Sequence, residues 1–264
     1  MRKATNEDVK KILEYLKPEV QNCLYMYIDI GKYGLDSEFM DVWIEEKGED
    51  LNCVVMKYHT GIGLYSASDD WDVDGVVEII KEQQPMSITG KHVIIEKILP
   101  AIGDLYETEY GYIFEYEKFR DFDLDVEVEM GTEEDAFEMA KLVTTDHGIG
   151  AYYEVNDLAN QFIERMRTDM GRHFIIRDNG KIIAHIASYA EFDGLATTRG
   201  LIVDEAYRKN SLLGLYLEKY SVDALKADGF RVFSFVIKKL RYKFLESMGN
   251  PCVGDYAKLI KLED

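Results

Sequence analysis

Two stretches of this chain carry the same order of polar and apolar positions. Ala4-Thr5-Asn6-Glu7-Asp8 leads into apolar residues at Val9, Ile12, Leu13 and Leu16, and Gly131-Thr132-Glu133-Glu134-Asp135 leads into Ala136, Met139, Ala140 and Val143. Both follow the i, i+3, i+4, i+7 spacing of one helix face. Thr5 and Thr132 stand where N-caps belong, each with an aspartate three places on, which is a capping box with Asp in place of Glu. The pattern that follows also recurs. Residues 39–44 run into Glu45-Glu46-Lys47-Gly48, and His173-Phe174-Ile175-Ile176 runs into Arg177-Asp178-Asn179-Gly180. Each predicts a strand, a hairpin turn and a second strand, at 51–58 or 181–190. Shared caps, shared apolar phase and shared order point to an internal duplication.

From Asp125 onward the pattern predicts strand (126–130), helix (132–145), helix (155–168), strands (172–177, 181–189 and 196–203), helix (211–228), strand (231–237), helix (239–248) and strand (257–262). This is an α+β order with hairpins, so the expected sheet is mixed and largely antiparallel, flanked by helices and present twice. The boundary falls near 118–125, within an acid-rich stretch without Gly, Pro or Ser runs. It divides the chain into 1–120 and 121–264, packed together and not tethered by a flexible linker.

Composition narrows the class. With 264 residues, 47% of them hydrophobic and four prolines, the chain can bury a full core and is expected to fold throughout. Cys23, Cys53 and Cys252 are far apart and lack metal or redox spacing, so they read as reduced thiols and no metal site is expected. The polar start and the lack of any long apolar run predict a cytoplasmic protein without a membrane anchor. A formal net charge of −19 repels polyanions, which argues against nucleic acid and favours cationic small molecules. Oligomeric state is left open.

Against that negative background, one segment carries positive charge ahead of a helix: Leu201-Ile202-Val203-Asp204-Glu205-Ala206-Tyr207-Arg208-Lys209-Asn210-Ser211-Leu212-Leu213-Gly214. A loop entering a helix offers unpaired N–H groups and the positive end of the helix dipole, a ready seat for pyrophosphate. The segment resembles the central motif of the GNAT acetyltransferase superfamily, and the element order of 125–264 is similar to that fold, less clearly so for 1–120. The chain therefore resembles a tandem GNAT protein with a degenerate first copy. The resemblance implies the acyl-CoA N-acyltransferase fold, with acetyl-CoA as co-substrate. It implies that the backbone of Leu201, Ile202 and Val203 pairs with the pantetheine arm. Arg208, Lys209, Asn210, Ser211, Leu212, Leu213 and Gly214 would hold the pyrophosphate, and the thioester would lie where the strand ending at Val203 parts from the strand at 231–237. The motif departs from the family's Arg/Gln-x-x-Gly-x-Gly/Ala, with Ser211 and Leu213 at the two small positions and Gly214 one place late.

Acetyl transfer to an amine calls for a base and for a proton donor to the leaving thiolate. Where the family often carries a tyrosine, four residues before a Gly-Phe pair, this chain has Leu245, four before Gly249-Asn250; Tyr242, one helical turn earlier, is the nearest substitute. A half-buried packing role is the alternative for Tyr242. Glu191, Asp193, His147 and His185 are the candidate bases; His185, alternating with Ile183 and Ala187, also reads as a satisfied sheet histidine. The first copy has Ser66-Ala67-Ser68-Asp69-Asp70-Trp71-Asp72 before its helix, acids that would repel pyrophosphate. The function implied is N-acetyltransfer from acetyl-CoA to the primary amine of a small molecule or amino acid. The alternative is an inactive acyl-CoA-binding or scaffold protein of the same fold.

Overall fold

The computed structural model describes residues 1–146, 150, 153–209 and 212–262. In the first part of the chain, β1 (Arg2–Lys3) is followed by α1 (Val9–Leu16), α2 (Leu24–Tyr33), β2 (Met40–Lys47), β3 (Asp50–Tyr58) and β4 (Gly61–Tyr65). Then come α3 (Val73–Gln83), β5 (Ser87–Gly90), α4 (His92–Ile102) and β6 (Tyr106–Glu115). The second part has β7 (Glu129–Met130), α5 (Ala136–Val143), α6 (Val155–Arg167), β8 (His173–Asp178), β9 (Lys181–Phe192) and β10 (Leu195–Val203). It ends with α7 (Leu212–Ala227), β11 (Arg231–Val236), α8 (Lys239–Ser247) and β12 (Cys252–Lys261). Among the described residues, no helix is long and apolar enough to cross a membrane.

Contacts group the chain into two units, Met1–Phe114 with Phe235–Asp264, and Glu115–Ser234. The unit boundary at 114/115 lies close to the sequence division at 120/121, but the last thirty residues pack with the first unit. The reason is β12, which pairs antiparallel with both β5 and β6 and buries Ala257 and Leu259 in the core formed by α3, α4, β4 and β5.

Each unit repeats one plan. In the first, β1 to β5 run in order, antiparallel until the last pair, where α3 crosses over and β5 returns parallel to β4. In the second, β7 to β11 do the same, with α7 as the crossover to a parallel β11. Both units are therefore mixed, mostly antiparallel α+β sheets flanked by helices.

The duplication extends to fine detail. Thr5 and Thr132 both form capping boxes, their backbone N–H groups donating to Asp8 and Asp135 at 2.9 Å. In both cases a single 3-10 turn precedes an eight-residue α-helix. Both first hairpins turn through two residues and then carry a β-bulge after the second cross-strand pair. Lys47↔Asp50 and Glu46↔Leu51 precede the shift to Glu45↔Cys53, and Asp178↔Lys181 and Arg177↔Ile182 precede the shift to Ile176↔Ala184. The second turn is Asn179-Gly180 with φ of 48° and 81°, the left-handed pair that a tight hairpin requires.

In the second unit the sheet has two covered faces. Ile175, Ile182 and Ile202 pack under α5 and α6, while Phe174, Ile176, Ala184 and Ile186 pack under Leu213 and Leu217 of α7.

Candidate active site of the second unit

The distinctive element is β10. It pairs with β9 along most of its length but with β11 only through Leu195↔Arg231, Ala196↔Val232 and Thr197↔Phe233. From Thr198 to Val203 the ladder to β11 has ended, so this stretch presents a backbone edge within the unit. The β9 ladder is itself interrupted between Arg199 and Ile202, where Gly200 takes a φ of 70° that a side chain would strain. β10 thus bends at Gly200 and leaves β11 over its last six residues.

Beyond Val203 the chain turns sharply. The carboxylate of Asp204 accepts from the Ala206 N–H at 3.0 Å and pairs with Lys181, which together hold it below the usual carboxylate range, the lysine contributing most. The Tyr207 hydroxyl donates to Asp178, fixing the turn to the β8–β9 hairpin. Asp204 of this loop and Asp178 of the neighbouring hairpin are thereby partnered. Arg208 and Lys209 are exposed immediately before α7. Arg208 donates from Nε to the carbonyl of Val203 at 2.9 Å, a bond that caps the free end of β10.

Among the sequence-predicted binding residues, Leu201, Val203, Arg208 and Gly214 are brought together. A Cβ on Gly214 would lie 3.2 Å from Val203 Cγ2 and 3.8 Å from Leu201 Cδ2, so this glycine lets the first turn of α7 lie close against β10. Leu213 and Ile202 are buried on opposite faces of the sheet and hold helix and strand in place. The leucine at the motif's small position therefore points into the core, where its bulk is useful packing. Leu212 is exposed. Asn210 and Ser211 lie outside the described residues, as does His147.

Tyr242 packs in the first unit, edge-on against Tyr112 at 4.6 Å and Phe114 at 5.0 Å between ring centres. Burial, with Glu246 nearby, raises its pKa, so the phenol keeps its proton through neutral pH. Of the candidate bases, Glu191 is clamped by Arg172 through two hydrogen bonds of 2.9 and 3.0 Å and also accepts from Ser188. Asp193, at φ 48°, forms the β9–β10 turn with Gly194 at 71°. His185 is fully buried, 0% exposed, and has a partner that sequence reasoning missed: His173, itself 2% exposed, on the neighbouring strand.

No protein-family model and no curated sequence matches this chain. Solved structures do match over its full length. A Drosophila protein aligns at a TM-score of 0.66 with 12% identity, covering 99% of this chain and 98% of its own. A GCN5-related N-acetyltransferase-like protein from Streptococcus suis aligns at 0.62 with 13% identity, covering 98% and 100%. A tandem GNAT protein from the clavulanic acid biosynthesis pathway aligns at 0.60 with 10% identity, covering 98% and 96%. At these identities the likeness establishes the fold, which is that of the GNAT acyl-CoA N-acyltransferases.

Proposed function

We propose that this chain is an acyl-CoA-dependent N-acetyltransferase that moves an acetyl group from acetyl-CoA to the primary amine of a small molecule or amino acid. Residues 1–120 form the degenerate copy, and 121–264 form the copy that carries the cofactor site. The observation that carries this reading is the short β10–β11 ladder followed at once by Arg208 and Lys209 ahead of α7. The exposed edge at Leu201, Ile202 and Val203 offers backbone groups to an amide-bearing arm, and the two cations with the α7 N-terminus offer a seat for a pyrophosphate. The close packing of Gly214 on Val203 and Leu201 fits such a group, because it keeps the opening of the helix beside the strand end.

Acetyl-CoA would supply the activated acyl group. The chain's own residues would bind and orient it: Arg208 and Lys209 by charge, the loop 209–212 by its N–H groups, and Val203 by its carbonyl once Arg208 lets it go. Tyr242 is the proposed proton donor to the leaving sulfur, a role for which a phenol that stays protonated is suited. The acidic surface favours a cationic acceptor.

The bond from Arg208 to Val203 favours a second reading, a scaffold of the same fold that no longer turns over, since it satisfies the strand end from within the chain. Calorimetric titration with acetyl-CoA separates the readings. Micromolar binding, about −8 kcal/mol, lost in the Arg208→Ala, Lys209→Ala double variant, supports the acyl-CoA site, and amine-dependent release of thiol then supports transfer. Binding without turnover across a panel of amines leaves the scaffold; no binding by the wild type overturns the site.

A further inference from the structure

Two β-bulges sit where β10 begins to leave β11. The last β10–β11 pair is Thr197↔Phe233, and between Thr197 and Thr198 the pairing with β9 passes over Tyr189, so that β9 holds an extra residue there. Between Arg199 and Ile202 the extra residue is on β10: Gly200 and Leu201 stand against Ile186 alone. The register that held up to Thr197 is thereby restored at Ile202↔His185. A bulge bends its strand and increases the local twist, and these two bracket the first residues of the free edge.

Each bulge has a side chain bonded to its backbone carbonyl. Arg165 of α6 donates from its guanidinium to the carbonyl of Tyr189 and lies over the Tyr189 ring, 4.8 Å from its centre. Nδ1 of His185 lies 3.3 Å from the carbonyl oxygen of Gly200. A carbonyl can only accept, so Nδ1 carries the proton. Burial lowers His185 to about 4, so at neutral pH the ring holds that one proton and accepts at Nε2, where Nδ1 of His173 lies 2.9 Å away. His173 thus fixes the tautomer that serves Gly200. Phe162 packs against both imidazoles, at 4.5 and 5.6 Å between ring centres. A Cβ at Gly200 would lie 3.7 Å from the ring of Tyr189 and 3.9 Å from that of His185, so the two bulges rest on one set of rings.

We propose that Arg165 and His185 are positioning residues for the acyl-CoA site: by holding the two bulge carbonyls they keep residues 198–203 off the β11 ladder, with their backbone open to the pantetheine arm. The proposal rests on the acyl-CoA reading of β10 and adds to it the groups that hold the edge in place.

Acetyl-CoA and ADP, titrated in parallel into the full chain, test it, because ADP carries the pyrophosphate without the arm. His185→Leu keeps the bulk and removes the donor. It should weaken acetyl-CoA about tenfold, the worth of one hydrogen bond taken from a buried acceptor, and leave ADP unchanged. His185→Asn, whose amide N–H stands in for Nδ1–H, should recover most of that loss. Arg165→Met, at a partly exposed position where folding is less at risk, should repeat the split between the two ligands. Equal weakening of both ligands, an Asn variant as weak as the Leu variant, or folded Leu and Met variants that bind acetyl-CoA like the wild type each overturn the positioning role and leave the site standing. No binding of acetyl-CoA by the wild type removes the site, and the proposal with it.

Discussion

The two parallel strand pairs, one in each unit, start from the same plan and end differently. In the first, all four residues of β5 pair with β4, from Gly61↔Ser87 to Leu64↔Gly90, and the approach is so close that a Cβ at Gly90 would lie 2.6 Å from the carbonyl of Leu64. Just beyond, the hydroxyl of Tyr65 at 3.1 Å and Nζ of Lys91 at 2.7 Å both donate to Glu19, tying the ends together. In the second, β10 outruns its ladder to β11 by six residues and carries the Gly200 bend. The loops differ in the same sense. Asp70 binds Lys47, Asp69 binds Lys97, and Asp72 caps α3 and binds the terminal amine. The second loop instead exposes Arg208 and Lys209. One copy spends its strand ends and loop charges on its own structure, whereas the other leaves six residues of β10 without a β11 partner and its two loop cations exposed, with Arg208 bonded once to the strand end.

The largest expected effect tests the exchange of β12 into the first unit. Leu259→Ala, at a fully buried position opposite Ile88, should cost about 2–5 kcal/mol. Hydrogen exchange should accelerate in β4 and β5 well before β8 and β9; equal loosening in both units would break the assignment of β12.

Acid should then separate the units through the histidine pair. His185 has its folded pKa lowered, so the neutral ring's contribution is complete above its unfolded value of 6.5 and is lost as pH falls towards about 4. The lost stability is about 3 kcal/mol. Exchange protection around β8 to β10 should fall between these pH values while β3 and β4 hold, and His185→Phe should flatten that dependence.

Neutralising the loop comes next. The Arg208→Ala, Lys209→Ala variant should lose about tenfold or more in acetyl-CoA affinity with melting unchanged, because both side chains are exposed. Replacing the corresponding acids by Asp69→Asn and Asp70→Asn should leave acetyl-CoA affinity untouched.

The smallest effect sharpens the likeness itself. Thr5→Ala and Thr132→Ala should each cost about 1 kcal/mol, read by thermal melting, since each removes an N-cap hydroxyl from the same box. A large inequality would mean that the two helix starts are alike in geometry only.

Much of this was legible in the sequence. The caps, the Asn179-Gly180 turn, the apolar phases and the basic loop are local, and local physics fixes them: a side chain reaching an N–H three residues on, a turn needing left-handed residues, a helix face repeating every 3.6 residues. So were the strand and helix positions from β8 to α8, which differ from expectation mainly at their ends. The placement of Leu213 in the core was not legible, because a family pattern read by spacing does not say which face of α7 turns inward.

What the sequence determined by itself is the duplicated α+β plan, its hairpins, and the contrast between an acidic and a basic loop. The tertiary structure alone decided three things. It sent β12 to the first unit, where it pairs with β5 and β6, strands more than a hundred residues away that no local signal links to it. It ended the β10–β11 ladder after three pairs, since strand divergence depends on how two distant segments twist. It also paired His173 with His185: the two-residue turn by itself would set His173 opposite Ile186, but the bulge after Arg177↔Ile182 shifts the register by one residue and turns both histidines to the same face.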